Sequence, residues 1–312
     1  MQHRSAWDYV RLFLKGVMMG AADAVPGVSG GTVAFITGIY EELIHSIRRC
    51  DPMALQVLFK EGLNAFWAHI NGNFLATLLG GVALSLATLS HLVLYLLDNH
   101  PIVLWAFFFG LILASVWSVA RHVGNWTVSR TSVFMLGTLF AYVLTSLSPT
   151  QIEATPIFVL ISGMIAICAM ILPGISGSFI LLLLGMYSTI LAAVRDFELV
   201  TLTLFALGCI LGLLSFSRVL SWAFSQYHQL TLALMGGFLL GSLNKVWPWK
   251  YTLAYTLNAK GEEIPLVQQN ISPATYLDLT GADPQTLASI VLAIVGGLLV
   301  LALDRNGRGA RS

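Results

Sequence analysis

One motif occurs twice in this chain, as Pro26-Gly27-Val28-Ser29-Gly30-Gly31-Thr32 and as Pro173-Gly174-Ile175-Ser176-Gly177-Ser178. Each copy joins two apolar stretches, in the regions of about 10–47 and about 156–194. Because proline and glycine interrupt helices, Pro26-Gly27 and Pro173-Gly174 are predicted hinges. We interpret each region as a re-entrant helical hairpin, in which two half-helices enter the membrane and return to the same face. Two tight transmembrane spans in each region are the alternative.

The composition places the chain in a membrane. Hydrophobic residues make up 57% of the 312 residues and charged residues only 10%, whereas an ordinary soluble domain has about 25% charged residues. A soluble fold of this size could not bury so much apolar surface, so we predict an all-α integral membrane protein. The net charge of +1 argues against a nucleic-acid partner. The three scattered cysteines have no disulfide or metal-ligand spacing, and neither a cofactor nor a metal is predicted.

Six apolar runs are long enough to cross a bilayer, which takes about 17–25 helical residues. With the N-terminus in the cytoplasm, most lysines and arginines fall on the cytoplasmic side, in agreement with the positive-inside rule. Both termini are therefore predicted to be cytoplasmic. The loop over 248–284 then lies outside, with room for a small hairpin that starts at Tyr251 and turns at Lys260-Gly261. The six predicted spans are about 74–97, 102–120, 131–148, 200–224, 230–246 and 286–303.

An internal repeat contains the two motif copies. The residues around the first copy match those around the second at one constant offset, which is that from Gly16 to Gly163. A second register follows at a shorter offset, which is that from Gly81 to Gly208. The shorter offset predicts an insertion in the first repeat at about 50–70, a charged, amphipathic stretch that fits the cytoplasmic surface. Repeat one is predicted over about 10–120 and repeat two over about 156–246, within one transmembrane domain that covers 1–312. Further matched pairs are Gly27/Gly174, Gly38/Gly185 and Tyr40/Tyr187 in the first register, and Gly110/Gly237 in the second.

The two repeats are predicted to be inverted relative to each other. Three spans separate the two hairpins, so the second hairpin enters the membrane from the opposite face. Inverted repeats with broken helices that meet near the midplane are typical of secondary transporters. Chance resemblance between glycine-rich helices is the alternative explanation of the repeat.

The two loops have the residue types that bind an anion. A helix start leaves backbone N–H groups unpaired, glycine lets a ligand approach the backbone, and hydroxyl groups add donors. The loops are therefore candidate binding sites for a phosphate or carboxylate group within the membrane. Close helix packing by small residues is the alternative interpretation. The candidate binding residues in the loops are Ser29, Gly30, Gly31, Thr32, Ser176, Gly177 and Ser178.

Three charged residues in the predicted membrane segments are further candidates, because charges inside a bilayer are unfavourable. Arg218 could bind a phosphate through two hydrogen bonds, or could extend to the cytoplasmic interface. Asp23 lies three residues before Pro26 and is the best candidate for a proton carrier. Glu41 is a second candidate for ion coupling, although it could reach the interface. His91 is more typical of a packed helix histidine than of a proton carrier.

One bacterial family, the polyprenyl-phosphate transporters, has paired motifs that resemble those of this chain. The similar segments are Gly20-Ala-Ala-Asp-Ala-Val-Pro-Gly-Val-Ser-Gly-Gly-Thr with Gly38-Ile-Tyr-Glu, and Leu172-Pro-Gly-Ile-Ser-Gly-Ser-Phe with Leu184-Gly-Met-Tyr. The resemblance covers nearly the whole chain. It implies transport of undecaprenyl phosphate, the lipid carrier of cell-wall precursors, from the outer to the inner leaflet of the cytoplasmic membrane. It also implies that the two loops and the charged residues around them form the lipid-phosphate site.

Three functions are compatible with the sequence. A lipid-phosphate translocase with alternating access would hold the phosphate with the loops and Arg218, and would leave the polyprenyl tail in lipid. A membrane polyprenyl-pyrophosphate phosphatase would need a nucleophile or general acid beside the phosphate, and neither loop contains a histidine. A solute or ion carrier could use the same fold. The translocase is the preferred function, with protons or sodium as candidate coupling ions and no prediction of the oligomeric state.

Overall fold

The structure is a computed structural model that describes residues 4–25, 28–149, 152–257 and 263–308. The first hinge, Pro26-Gly27, and the predicted turn at Lys260-Gly261 lie outside these residues. The helices are α1 (Ala6–Asp23), α2 (Gly30–Ile36), α3 (Tyr40–Arg48), α4 (Pro52–Glu61), α5 (Leu63–His69), α6 (Gly72–Ala87), α7 (Leu89–Asn99), α8 (Pro101–His122), α9 (Val128–Ser146), α10 (Pro156–Ile171), α11 (Gly177–Leu183), α12 (Tyr187–Arg195), α13 (Leu199–Ser242), α14 (Pro273–Thr280) and α15 (Thr286–Arg308). The strands are β1 (Lys250–Leu257) and β2 (Glu263–Asn270).

The helices are those of a multi-pass membrane protein. In the described part of the chain, α8, α9 and α13 are each long and apolar enough to cross a bilayer. Two bent pairs, α5 with α6 (71°) and α11 with α12 (109°), bring that number to five if each pair is one span. Helix α10 and most of α15 are apolar but shorter. Helices α8 and α9 agree closely with the predicted spans 102–120 and 131–148.

Two helix interruptions differ from the predicted spans. The predicted span 74–97 is divided at Thr88, whose φ of −121° and ψ of −64° separate α6 from α7. The Thr88 hydroxyl donates a hydrogen bond to the Leu84 carbonyl oxygen at 2.7 Å, a local bond of a kind that bends helices. Helix α13, in contrast, joins two predicted spans and is kinked at Tyr227, where φ is −132° and ψ is 45°. Hydropathy identifies the apolar residues, but these local backbone angles decide where the helices break.

The two motif regions have the same local fold. Helices α11 and α12 begin and end at the repeat counterparts of the residues that begin and end α2 and α3. Gly38 and Gly185 are also counterparts in this register, and they follow the two short helices with φ of 72° and 70°. Glycine adopts these angles readily because it has no Cβ. The sequence repeat therefore corresponds to a repeat of backbone conformation.

Helix contacts repeat in the same two registers, through glycines packed on carbonyl groups. A Cβ added at Gly16 in α1 would clash with the Leu78 carbonyl group in α6. A Cβ added at Gly163 in α10 would clash with the Phe205 carbonyl group in α13. Leu78 and Phe205 are counterparts in the second register, as are Gly81 and Gly208. Small residues at these positions allow the two backbones to approach closely.

Two further helix pairs are built in the same way, and both connect distant parts of the chain. Helix α8 packs against α15, where Gly110 meets the Ala293 carbonyl group. Helix α9 packs against the second part of α13, where Gly237 meets the Phe134 carbonyl group. Gly110 and Gly237 are again counterparts in the second register. We call these two contacts the crossed pairs, because each joins a helix from the first half of the chain to one from the second half.

The segment after α13 forms the hairpin that the sequence predicts. Strands β1 and β2 pair in antiparallel register, from Lys250 with Asn270 onwards, which confirms the hairpin expected from Tyr251. The Trp247 indole donates a hydrogen bond to the Ile271 carbonyl oxygen at 2.8 Å. The hairpin is thus fixed to the end of α13.

The insertion at 50–70 is helical and exposes apolar side chains. It contains α4 and α5, and Phe59 is 84% exposed, with Met53, Leu55 and Leu63 each more than half exposed. Apolar side chains on a short surface helix are typical of a segment that lies in the membrane interface. The location of this insertion on the cytoplasmic surface remains a prediction.

Candidate functional site

The two motif loops touch each other. In the first loop (described over 28–32), Ser29 Oγ donates a hydrogen bond at 2.9 Å to the carbonyl oxygen of Met170, in the last turn of α10 just before the second loop. In the second loop (172–178), the Gly174 amide donates to Thr32 Oγ1, also at 2.9 Å. Ser29 and Thr32 are each 1% exposed. A Cβ at Gly31 would lie 2.7 Å from the Ile171 carbonyl oxygen, so only glycine permits this approach. The structure brings together two loops that lie in different halves of the sequence.

The donors of the first loop already have partners. The Gly30 amide donates to Oδ1 of Asp23 at 2.6 Å, and the Gly31 amide donates to Ser29 Oγ at 3.1 Å. A Cβ at Gly30 would clash with the Asp23 carboxylate. The carboxylate therefore occupies the place beside the backbone that an anionic ligand would take. Such a ligand must displace Asp23 from the Gly30 amide.

The second loop has no carboxylate hydrogen-bonded to its backbone in the described chain, in contrast to the first loop. Ser176 and Ser178 have their hydroxyl oxygens 2.8 Å apart, and in the described chain no side chain caps the start of α11. Gly174 has a φ of 88°, which favours glycine, and it packs on α13. A Cβ there would lie 2.8 Å from Ser242 Oγ, and one at Gly177 would lie 2.8 Å from the Ala166 carbonyl oxygen. The second loop is thus fixed by backbone packing, and its two serine hydroxyls bond to each other.

The structure does not bring Arg218 to either loop. Arg218 Nη2 lies 3.4 Å from Oδ2 of Asp51, the residue that caps the start of α4, and the arginine side chain is half exposed. In the described chain this is its hydrogen-bond partner. The sequence marks Arg218 as a charge within a span, but it does not reveal that Asp51, at the start of the insertion, supplies a carboxylate to it.

Glu41 lies at a contact between α3 and α13, and is not beside Asp23. Its Oε1 is 3.0 Å from Nε2 of His228, one residue after the kink of α13. Arg48 Nη1 donates a hydrogen bond to Ser221 Oγ at 3.0 Å. These contacts hold α3 on α13. The sequence predicts no role for His228, because this residue lies in a short polar stretch between two predicted spans.

Two lysines near the second loop are not among the residues that the sequence predicts to bind a ligand. Lys245 Nζ lies 4.6 Å from the ring centroid of Phe179, which directly follows Ser178. Lys250 Nζ lies 3.9 Å from the ring centroid of Trp105 and donates a hydrogen bond to the Lys245 carbonyl oxygen at 2.7 Å. Burial and, secondarily, the charge of Lys245 lower the pKa of Lys250. The sequence feature that could have identified these two lysines is their position on either side of Val-Trp-Pro-Trp, at the end of a predicted span.

Two broken helical segments whose polar loops meet among apolar helices define a multi-pass membrane protein with an enclosed polar site. The chain belongs to the VCA0040-like family, described as undecaprenyl phosphate translocase-like, whose model matches residues 19–264. A Vibrio cholerae protein named polyprenyl-phosphate transporter is 52% identical over 298 residues, which are 96% of this chain and 97% of the relative. A Staphylococcus aureus protein of the same name is 33% identical over 253 residues, 75% of this chain and 85% of the relative. No solved structure matches the chain.

The family assignment confirms two of the expectations from the sequence. The resemblance drawn from the paired motifs agrees with the matched family. Because the relatives are named as transporters, the expectation that the chain is not an enzyme is also confirmed.

Proposed function

We propose that the protein moves polyprenyl phosphate, with undecaprenyl phosphate as the natural lipid, from the outer to the inner leaflet of the bacterial cytoplasmic membrane. This movement returns the lipid carrier for the synthesis of cell-wall precursors. The family and the names of both relatives support the substrate. The observation that carries the proposal is the contact between the two motif loops, because it forms one buried polar site from both halves of the chain.

The two halves are proposed to be inverted repeats that give alternating access to this site. The matching helix bounds and the matching glycine contacts support the internal repeat. A site at the junction of two inverted halves opens to one face of the membrane and then to the other as the halves rock. In this arrangement the two broken segments are re-entrant, with hinges at Pro26-Gly27 and Pro173-Gly174.

The phosphate is proposed to bind between the loops while the polyprenyl tail stays in lipid between helices. The second loop offers two hydroxyl groups that bond to each other and can turn towards a ligand. The first loop offers its donors once Asp23 releases the Gly30 amide. The proposed binding residues are Ser29, Gly30, Gly31, Thr32, Ser176, Gly177 and Ser178.

Proton coupling is proposed to act through Asp23. A phosphate needs the Gly30 amide that the Asp23 carboxylate now holds at 2.6 Å. Protonation removes the carboxylate charge and weakens this charge-assisted hydrogen bond, so a proton on Asp23 favours phosphate binding. Transfer of an anion towards the negative cytoplasm opposes the membrane potential by about 2.3 kcal/mol per charge per 100 mV. A proton that travels with the phosphate offsets one charge, and Glu41 is the second candidate carrier.

Arg218 is proposed to contact the phosphate at the cytoplasmic end of the path. Its present partner is Asp51, and the ion pair is partly exposed. Such a pair contributes little stability, about 0–1 kcal/mol, so a phosphate can replace the carboxylate. Arginine binds phosphate through two parallel hydrogen bonds. This exchange would complete delivery to the inner leaflet.

Flux in proteoliposomes tests the proposed function. Purified protein is reconstituted with a fluorescent short-chain prenyl phosphate, and transfer between leaflets is followed with a membrane-impermeant quencher. We expect transfer well above that of protein-free vesicles, with competition by unlabelled prenyl phosphate and none by the prenyl alcohol. Release of phosphate from a prenyl pyrophosphate without lipid transfer would instead indicate an enzyme. Competition by inorganic phosphate, with no lipid transfer, would indicate a solute carrier.

Cysteine labelling in intact cells tests the proposed orientation. Single cysteines are placed at position 48, at position 308 and at position 261 in a chain without its three native cysteines. A membrane-impermeant thiol reagent should label position 261 in intact cells, and the other two only after permeabilisation. Labelling of position 261 only after permeabilisation would show that the orientation is reversed.

A further inference from the structure

The two lysines beside the second loop have no carboxylate partner in the described chain. The ion pairs of the described residues involve other side chains, and the ammonium groups of Lys245 and Lys250 lie on the rings of Phe179 and Trp105. An aromatic ring compensates a buried cation only in part. The two like charges also repel each other. An anion is the group that would neutralise both charges at once.

The position of Lys245 connects it to the second loop. Lys245 follows Ser242 by three residues, and Gly174 packs directly on Ser242 Oγ. The ring under its ammonium belongs to Phe179, the residue after Ser178. The ammonium group therefore lies at the corner of the molecule where α11 begins, the helix that also contains Ser178.

The position of Lys250 extends this corner towards the β-hairpin. Lys250 is the first residue of β1, and its ammonium bonds to the Lys245 carbonyl oxygen. Helix α8 closes the other side through Trp105. In the proposed orientation the β-hairpin lies outside, so this corner faces the outer leaflet.

The two loops differ in charge. The first loop holds a carboxylate, Asp23, against its backbone, whereas the second loop has the ammonium of Lys245 beside it. An anion that enters from the side of the β-hairpin meets cations and hydroxyl groups first. It reaches the Asp23 carboxylate only when it passes to the first loop.

We propose that Lys245 and Lys250 bind the phosphate head group of the lipid in the outer leaflet, beside Ser176 and Ser178. This inference rests on the proposed function and assigns the entry end of the path. Two ammonium groups provide point-charge donors for a phosphate monoester. The partly exposed ring of Trp105 provides apolar surface for the first unit of a prenyl chain, whereas Phe179 is buried. The site therefore takes a prenyl phosphate in preference to inorganic phosphate.

Binding of farnesyl phosphate to the purified full chain tests the lysine site. The variants are Lys245→Gln and Lys250→Gln, and each should raise the dissociation constant by about 10- to 100-fold, because each removes a charged hydrogen-bond donor. Arg195→Gln is the matched control. It removes a positive charge on the same proposed side, from a pair with Asp196 in which both side chains are about half exposed. Lys245→Arg, which keeps the charge, should retain most of the affinity.

The outcomes separate this inference from the proposed function. If the parent protein neither binds nor transfers prenyl phosphate, the proposed function is wrong. If the parent transfers the lipid and both glutamine variants bind it with parental affinity, the lysine site alone is wrong. Equal affinity of the parent for inorganic phosphate and for farnesyl phosphate would show a site for free phosphate and reject the lipid assignment.

Labelling of the native lysines provides a test that does not depend on the folding of a variant. An impermeant amine-reactive ester is added to the parent protein, and modified peptides are measured by mass spectrometry. Farnesyl phosphate should protect Lys245 and Lys250 and leave the exposed Lys60 unaffected. Equal modification of Lys245 with and without the lipid would overturn the proposal.

Discussion

Thr32→Val tests whether the contact between the loops holds the site together. Thr32 Oγ1 accepts the hydrogen bond of the Gly174 amide at 2.9 Å, and the residue is 1% exposed. Valine has nearly the same shape but no acceptor, so the amide would remain buried without a partner. A buried donor that loses its partner destabilises a fold by about 1–3 kcal/mol. Gly174 cannot turn its amide elsewhere, because its φ of 88° and its packing on Ser242 fix the loop.

The assay is thermal unfolding of the detergent-purified protein, followed by lipid flux. We expect Thr32→Val to lower the apparent Tm and to reduce flux, because the two loops would no longer be joined at this bond. Thr32→Ser is the matched control, since it keeps the acceptor and loses a methyl group, which destabilises by about 1 kcal/mol. The order of stability should be parent, then serine, then valine. A valine variant as stable as the parent, or a serine variant as damaged as the valine one, would refute the reasoning.

Three further predictions concern the coupling residue, the cytoplasmic arginine and the helix contacts. Asp23→Asn should keep the fold and some binding but lose the response of flux to an imposed pH gradient, and an unchanged response would exclude proton coupling through this residue. Arg218→Ala should lower flux several-fold whereas Asp51→Asn should not, because only the arginine is proposed to contact phosphate. Equal effects of the two substitutions would show that the ion pair is only a surface contact and that Arg218 does not bind the ligand. Gly81→Ala should lower the apparent Tm, because its Cβ would clash with the Phe13 carbonyl oxygen. Gly80→Ala should not, because the nearest atom to its Cβ is a carbon of the Phe13 ring at 3.8 Å.

The membrane class, the two similar segments and the β-hairpin could be predicted from the sequence, because their causes are periodic or compositional. The apolar content indicates a membrane protein, and the constant offset that relates Gly38 to Gly185 indicates two similar segments. The polar stretch that starts at Tyr251, with its turn residues at Lys260-Gly261, indicates the β-hairpin. The break at Thr88 could not be predicted in this way, because a change of backbone angles within an apolar run leaves hydropathy unchanged.

The candidate site could be predicted only as far as its local motifs extend. Ser29 and Thr32 stand out because they belong to a repeated motif, and the structure places both in the contact between the loops. The partner of Arg218 is Asp51, a residue far away in the sequence, and the pattern along one helix does not indicate such a contact. Lys245 is similar, since its nearness to Phe179 arises from packing between segments that are far apart in the sequence. Charges are visible in a sequence, whereas their partners depend on tertiary structure.

The crossed pairs have a consequence for the synthesis of the protein. Helix α8 leaves the insertion machinery long before α15 is translated. The face of α8 around Gly110 is therefore exposed to lipid until α15 is inserted and packs against it. Helix α9 waits in the same way for the second part of α13. The order of membrane insertion therefore differs from the order of packing. A chain that stops before Thr286 would leave this face of α8 exposed to lipid permanently. Membrane proteases should therefore degrade proteins truncated at this late position as readily as proteins truncated earlier.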